Sequence, residues 1–264
     1  MEFTLKVILS FVVGGLYVST IVWAAEKLGS KIGGAIAGIP STLLVSLAFI
    51  NLAEGPVATK AASAIVPLLI TAALFYAYIF VESAQLLKTS YKHLVATLLA
   101  VIGWAGLSLA IRAVFKDADF GVILIVALAG AIGFNQLFKH FPDVKPKKFE
   151  LPKYVYLVRF LVAGSVVSLS VLAARHLGAT WGGVAASFPA TVASSLYFLN
   201  MSQGCTFTEG FVRRLPKAFV STFIFIICLH LLLTNLPTLL CFALAMAAAL
   251  VYTSSLVMLT RESR

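Results

Sequence analysis

The sequence predicts an all-α, polytopic transmembrane protein of about nine helices, in which two inverted four-helix repeats are joined by a fifth helix. Two observations lead to this prediction. First, 61% of the 264 residues are hydrophobic and 11% are charged, and the mean hydropathy is +1.01. A water-soluble domain of this size cannot bury so much apolar surface, so the chain needs lipid as its solvent. Second, the chain contains two copies of one segment.

The two copies are related by a constant offset of 149 residues. Between Ala24 and Gly55, residues at this offset are identical at 14 of 32 positions, and no gap is needed. The offset continues downstream, where it places Pro67 over Pro216. Internal duplication in a membrane protein is typical of transporters, so the repeat favours transport among the possible functions.

Apolar windows of about 20 residues, the length that crosses the hydrocarbon core, predict the helices. The first window is expected to be a retained helix and not a cleaved signal, because its counterpart in the second copy lies in the middle of the chain. The nine predicted spans are Phe3 to Ala25, Gly33 to Ala53, Ala62 to Leu87, Leu94 to Phe115, Phe120 to Phe138, Tyr154 to Arg175, Gly182 to Met201, Phe211 to Leu233 and Pro237 to Thr260.

The fifth span has no counterpart in the repeat, and this decides the predicted arrangement. An odd number of crossings before the second copy places it upside down relative to the first, which gives a 4+1+4 layout with a pseudo-two-fold axis in the membrane plane. We assign residues 1–116 to the first repeat and 117–140 to the inverter helix. Residues 141–153 form a cytoplasmic linker, and 154–264 form the second repeat.

The net charge of +10 marks membrane topology. Of the 20 Lys and Arg residues, 15 fall in the alternate loops of one side. Basic loops stay cytoplasmic, so the N-terminus is expected outside and the C-terminus inside, in the cell's inner membrane. The basic residues form no soluble patch with interleaved aromatics, and nucleic acid is not an expected partner. Membrane lipid and a small-molecule solute are expected partners, and self-association into a homo-oligomer stays open.

A short motif occurs once in each copy, with the spacing G-x5-P-x-T-x12-G. This run resembles the second-helix segment of the small four-helix GlpM-type inner-membrane proteins. The resemblance covers about one helix per half and implies a duplicated, fused form of such a protein, without implying an activity. Its positions are Gly34, Pro40, Thr42 and Gly55 in the first copy and Gly183, Pro189, Thr191 and Gly204 in the second.

The same helix of each copy combines a proline with hydroxyl side chains. A proline inside a helix frees a backbone carbonyl, which in a bilayer must find a Ser or Thr, a water or a ligand. Two such broken helices in inverted repeats would meet near the midplane and offer backbone dipoles to a solute. We therefore expect a substrate path lined by Pro40, Ser41, Thr42, Ser46, Ser187, Pro189, Thr191, Ser194 and Ser195.

Small residues recur at helical spacing along the span that contains each proline, and such stripes let transmembrane helices approach closely. Packing alone is thus an alternative explanation of the motif. We assign to helix packing or close backbone approach the glycines Gly33, Gly34, Gly38, Gly182 and Gly183.

Five further polar residues lie in or near the predicted spans. Asn51 and Asn200, paired by the offset, are expected to cap helix ends, with a hydrogen bond across the helix as the alternative, and Asn135 on the fifth helix to bond into either half. Glu82 is expected near the cytoplasmic interface, where it can pair with a basic residue. His230 lies inside an apolar span and is interpreted as a hydrogen-bonded packing residue, with a proton relay as the alternative.

All ten carboxylates fall near span ends or in loops, which leaves no midplane acid to couple transport to protons or sodium. Enzyme motifs and metal-ligand clusters are missing from the sequence, so we predict no catalysis, no metal and no cofactor. The leading hypothesis is a transporter or channel for a small neutral or anionic solute. The alternatives are a non-transporting membrane scaffold or assembly factor, and a lipid or lipid-carrier translocase.

Overall fold

The computed structural model describes residues 2–27, 39–89, 91–144 and 152–262, and these ranges are almost entirely helical. A short 3-10 turn, Phe138–His140, follows the fifth helix. The helices are α1 (Phe3–Lys27), α2 (Ser41–Ala64), α3 (Val66–Leu86), α4 (Lys92–Phe115), α5 (Phe120–Leu137), α6 (Tyr154–His176), α7 (Ala179–Ala186), α8 (Ala190–Gln203), α9 (Cys205–Val212), α10 (Leu215–Leu232) and α11 (Thr238–Glu262).

Nine helical stretches of the described chain are long and apolar enough to cross a membrane. This confirms the predicted all-helical class and fits a multi-pass membrane protein. The most buried stretch is α3, whose Tyr76 and Phe80 are fully enclosed. It packs against α4 of its own copy, against α5, and against α10 of the second copy. The least buried is α5, which lies at the periphery against α3.

Two predicted spans begin and end differently in the structure because of their prolines. The predicted helix Gly33 to Ala53 is described only from residue 39, where a helix starts after Pro40 and continues to Ala64. The predicted helix Gly182 to Met201 is two helices, α7 and α8, separated around Pro189. Proline has no N–H to donate and its ring clashes with the preceding turn, so a helix begins after each proline.

Gly55 and Gly204 form a second bend that the sequence analysis did not predict. Their φ/ψ angles are 85°/178° and 81°/179°, a region open essentially to glycine alone. The residues that follow each glycine, predicted as loops, are helical. The third and eighth predicted spans therefore start later, at Val66 and Leu215, each with a proline in its first turn, where a missing N–H is tolerated.

The first helices of the two copies, α1 and α6, pack along each other in antiparallel directions. Near the start of α1, Phe3 lies against His176 at the end of α6, with ring centroids 6.0 Å apart. Farther along α1, the Ser19 hydroxyl donates to the carbonyl of Tyr156 near the start of α6, at 3.3 Å. The contact thus extends over most of both helices.

The crossing of α1 and α6 is built from equivalent residues. The rings of Phe11 and Phe160, which are 149 residues apart, meet edge to face with centroids at 5.5 Å. A Cβ on Gly15 would lie 2.7 Å from the carbonyl oxygen of Phe160, and one on Gly164 would lie 2.6 Å from that of Phe11. Both copies therefore make the same close approach, which glycine permits by lacking a side chain.

Candidate functional site

Each copy makes the same tight turn at its proline. The φ/ψ angles are −73°/53° at Pro40 and −78°/58° at Pro189, close to those of an inverse γ-turn. The amide after each proline donates to the carbonyl before it, at 2.7 Å in the first copy and 2.8 Å in the second. The two prolines thereby stand at the N-terminal ends of α2 and α8.

The unpaired backbone groups at the Pro189 break differ from those expected. The carbonyl that a proline would free, that of Ala185, accepts a hydrogen bond from the Phe188 amide at 3.2 Å. In the described ranges, the amides of Thr191 and Val192 donate to no backbone acceptor, and no side chain caps α8. The break therefore offers N–H groups and the partial positive charge of a helix N-terminus.

The two copies meet at Thr42 and Thr191. Their Oγ1 atoms are 3.4 Å apart, and the residues occupy equivalent positions of the repeat. Thr42 is buried and Thr191 half-buried. The contact therefore joins equivalent points of the two copies.

A cavity of about 80 Å³ surrounds this pair of threonines, several times the space that a single water requires. Among the described residues, 17 line the cavity, and three of them, Val66, Ala186 and Ser187, have no equivalent in this described lining. The other fourteen form seven pairs at the offset of 149: Ile39 and Phe188, Pro40 and Pro189, Ser41 and Ala190, Thr42 and Thr191, Leu43 and Val192, Ile70 and Phe219, and Ala73 and Thr222.

No charged side chain lines the cavity in the part of the chain that the structure describes. The Ser41 side chain is 4% exposed and makes no hydrogen bond to described residues, whereas Ser187 donates to the carbonyl of Gly183 at 2.7 Å. The cavity is therefore apolar with a few polar groups, a composition typical of small-molecule sites. Its hydroxyls belong to Ser41, Thr42, Ser187, Thr191 and Thr222.

The structure brings six of the nine expected path residues to the cavity: Pro40, Ser41, Thr42, Ser187, Pro189 and Thr191. The other three, Ser46, Ser194 and Ser195, do not line it. Ser194 donates to the carbonyl of Thr191 at 3.1 Å, and Ser195 is half-buried. Ser46 is fully buried, and its hydroxyl has no hydrogen-bond partner in the described ranges.

The glycines of the second copy lie against the protein's own helices. A Cβ on Gly182 would be 2.6 Å from that of Ala174, and one on Gly183 would overlap the carbonyl oxygen of Ala62 in α2. These faces are occupied internally and are closed to a partner helix. The corresponding Gly33, Gly34 and Gly38 lie outside the described residues.

Asn51 and Asn200 lie beside the glycine bends, and the side chain of each contacts a threonine eight residues further along the chain. In each copy a threonine, Thr59 or Thr208, donates to the carbonyl of the bend glycine four residues earlier, at 2.9 Å. The same threonines lie 3.5 Å from Asn51 Oδ1 and 3.4 Å from Asn200 Nδ2. Both threonines were absent from the predicted site residues, although Thr59 and Thr208 are identical at the offset of 149 and could have been recognised by it.

Two of the other polar candidates have separate surroundings. Glu82 places a carboxylate oxygen 3.9 Å from His140 Nε2, so it does have a basic neighbour. Asn135 is half-buried on α5, and its side chain makes no hydrogen bond to the described residues.

His230 lies in α10 and contacts α2 and α5. Its Nδ1 is 2.8 Å from the Ser63 hydroxyl, and its ring stacks on Phe120 with centroids 3.8 Å apart. These contacts fit the interpretation as a hydrogen-bonded packing residue.

Equivalent polar contacts also join the halves away from the cavity. The Lys60 ammonium lies 3.3 Å from the Thr234 hydroxyl, and Gln85 donates to the Glu209 carboxylate. Lys60 and Glu209 are equivalent under the repeat, and so are Gln85 and Thr234. The same contact between equivalent positions therefore occurs twice, once with a positive side chain, Lys60, and once with a negative one, Glu209.

No protein family, no curated protein and no solved structure matches the chain. The resemblance to GlpM-type proteins is accordingly carried by the sequence pattern alone. Among the described residues, no group of three or more His, Cys, Asp or Glu side chains is placed to hold a metal ion.

Proposed function

We propose that this protein is a membrane transporter or channel for a small neutral or anionic solute, whose path runs between the two halves through the cavity at Thr42 and Thr191. The observation that carries the proposal is the lining of the cavity by seven pairs of equivalent residues. Transporters built from repeats place their substrates at the interface between the repeats. The proposed activity involves no catalytic step and no resident cofactor.

The same proposal includes the inverted 4+1+4 arrangement, with α5 as the inverter helix and the chain as a fused GlpM-like duplication. The antiparallel packing of α1 and α6 supports it, because two such helices that both cross the membrane do so in opposite directions. The reciprocal contacts of Gly15 with Phe160 and of Gly164 with Phe11 support it too, since a two-fold relation pairs contacts in this way.

The chemistry of the cavity limits the proposed solute. Hydroxyls and the amides of α8 offer hydrogen bonds without a fixed charge, and a helix N-terminus favours negative charge over positive charge. No carboxylate of the described chain lines the cavity, which disfavours a metal cation. Rocking of one half against the other would open the cavity to each side in turn.

Replacing both Thr42 and Thr191 by Val removes the two hydroxyls while nearly keeping the side-chain shape. Loss of two hydrogen bonds of ~1 kcal/mol each is expected to lower solute flux at least about tenfold. Flux is measured in proteoliposomes by light-scattering swelling assays with glycerol, urea, or potassium nitrate in the presence of valinomycin.

Thr253→Val is the matched control, because the buried Thr253 hydroxyl donates within its own helix, to Ala249 at 2.9 Å, and Thr253 is not among the described residues that line the cavity. Its flux is expected to stay at the wild-type level. A folded double variant that transports every solute of the panel like the wild type would refute the site.

The proposed topology puts the N-terminus outside the cell and the C-terminus in the cytoplasm. Epitope tags at the two ends are expected to be accessible to antibody from opposite sides of the membrane, the N-terminal tag in intact spheroplasts and the C-terminal tag only after lysis. Two tags accessible from one side would contradict nine crossings.

A further inference from the structure

One face of α4 carries a polar stripe formed by His93, Thr97, Trp104, Ser108 and Arg112. These residues are four or seven positions apart, so they lie on one side of the helix. At a rise of 1.5 Å per residue the stripe is about 28 Å long, close to the thickness of the hydrocarbon core. The exposed side of α4 is instead apolar and includes Leu94, Leu98, Leu99, Ile102 and Leu109.

Four side chains of the stripe hold a buried polar atom without a hydrogen-bond partner among the described residues. These atoms are His93 Nδ1, Trp104 Nε1, Ser108 Oγ and Arg112 Nε. Ser108 is 1% exposed and Trp104 is 9% exposed. Buried polar groups in membrane proteins normally find a partner in protein, water or ligand, so this face is suited to contact a hydrated or polar occupant.

The second copy shows that the fold does not require a polar stripe at this place. The helix equivalent to α4 is α11, whose residues at the same positions are mostly apolar. The one hydroxyl among them, that of Thr253, donates a hydrogen bond within its own helix. The positions equivalent to those of the stripe are occupied by Phe242, Met246, Thr253, Val257 and Arg261. Polarity along the whole stripe therefore belongs to the first copy alone.

The stripe faces the broken helix of the other half, α7 and α8, at three levels. Rings of the second half stand against it at both ends and in the middle. The contacts are Arg112 over the Trp181 ring at 4.2 Å, His93 against Tyr197 at 6.2 Å and Trp104 against Phe188 at 5.0 Å.

Phe188 connects the stripe with the cavity at Thr42 and Thr191. It lines the cavity while its ring meets Trp104 and, at 6.2 Å, Tyr76. The Tyr76 hydroxyl is fully buried and lies near Thr97, outside hydrogen-bond geometry. The ring of Phe188 thus stands between the cavity on one side and unpartnered polar atoms on the other.

We infer that the polar face of α4 is the wall along which the solute passes to and from the central cavity, and that Phe188 is the gate between them. The inference rests on the proposed function and extends its path. Trp104 Nε1 and Arg112 Nε can only donate hydrogen bonds, Arg112 carries a positive charge, and the stripe has no carboxylate. The route therefore selects small hydrogen-bond-accepting anions.

Cysteine accessibility tests the route without depending on transport. Ser108→Cys is placed in a background in which Cys205, Cys228 and Cys241 are replaced by Ala, and is exposed to an anionic methanethiosulfonate reagent. We expect S108C to react in the folded protein. The control S170C, at a fully buried Ser whose hydroxyl bonds to Val166 in its own helix, is expected to stay unmodified. Protection of S108C, or equal reaction of both, would overturn the route.

The selectivity for nitrate over glycerol tests whether the N–H groups of the stripe contact the solute. Trp104→Phe keeps an aromatic ring and removes the N–H, so the ratio of nitrate flux to glycerol flux is expected to fall about tenfold or more, as for one lost hydrogen bond to a charged acceptor. Trp23→Phe, at a Trp 47% exposed on α1, is the control and should leave the ratio unchanged.

Different results would refute the α4 route and the proposed function at the central cavity. An unchanged ratio in Trp104→Phe, combined with reduced flux in the Thr42→Val, Thr191→Val double variant, overturns the α4 route and leaves the central cavity standing. Unchanged flux in the double variant refutes the proposed function itself.

Discussion

The two copies agree closely around their prolines and bend glycines and differ along their last helices. Pro40 and Pro189 have φ and ψ within a few degrees of each other, as do Gly55 and Gly204. By contrast, the stripe of α4 is polar where the corresponding positions of α11 are mostly apolar. The two copies therefore share the backbone geometry of their proline turns and glycine bends, whereas the side chains on the inward face of their last helices differ.

The charges of Lys60 and Glu209 extend this comparison to the ends of the molecule. These residues are equivalent and contact equivalent partners, Thr234 and Gln85, yet their charges are opposite. In an inverted arrangement, equivalent positions lie toward opposite sides of the membrane. The two sides of the proposed path would then differ in charge, although the backbone that frames them is the same.

The largest effect is expected where the second copy packs most tightly on the first. Gly183→Leu forces a side chain into the carbonyl of Ala62, and overpacking of this kind against backbone costs about 3 kcal/mol or more. We expect loss of the monodisperse peak in detergent size-exclusion chromatography. Gly106→Leu is the control, because a Cβ at Gly106 meets nothing within 4 Å. A normal elution profile for Gly183→Leu would contradict the close approach.

A smaller effect is expected at the glycine bends, and it tests whether the two copies share their backbone. Gly55→Ala and Gly204→Ala each place a Cβ on a residue with φ above 80°, a strain of about 1–3 kcal/mol. Both variants should lower the thermal midpoint in detergent by similar amounts. Gly106→Ala, in the interior of α4, should not lower it. A marked loss in one copy alone would break the comparison.

Much of this could be predicted from the offset of 149 and from hydropathy. They predicted nine apolar spans and a break in the helix that contains Pro189. They also singled out Thr42 and Thr191, whose side chains are in contact in the structure. The helical segments after Gly55 and Gly204 could not be predicted, because a glycine followed by small and polar residues has the composition of a loop. The contact of Phe188 with Trp104 was also out of reach, since no periodicity relates side chains that pack across two halves.

The spacing of the α4 stripe was visible in the sequence, but the surroundings that its polar side faces were not. A helix with polar residues on one side predicts, in a soluble protein, that this side faces water. In lipid the relation reverses, and the apolar leucines of α4 are the exposed ones. Only the structure places the polar side against the other half.

The smallest effect distinguishes the two asparagines at the bends. Asn200 is 3% exposed and bonds to Thr208, whereas Asn51 is half-buried and bonds to Thr59. Water can replace a lost partner at the half-buried site more easily than at the buried one. We therefore expect Asn200→Ala to cost about 1 kcal/mol and Asn51→Ala about half as much.

Thermal midpoints measured in one detergent decide between these values, with Asn135→Ala as the control at a half-buried asparagine that bonds to none of the described residues. Equal losses at Asn51 and Asn200 would show that the shared hydrogen bond, and not the depth of burial, sets the stability of the bend. A larger loss at Asn51 would contradict the burial argument, since it would require the more accessible site to depend more on its protein partner.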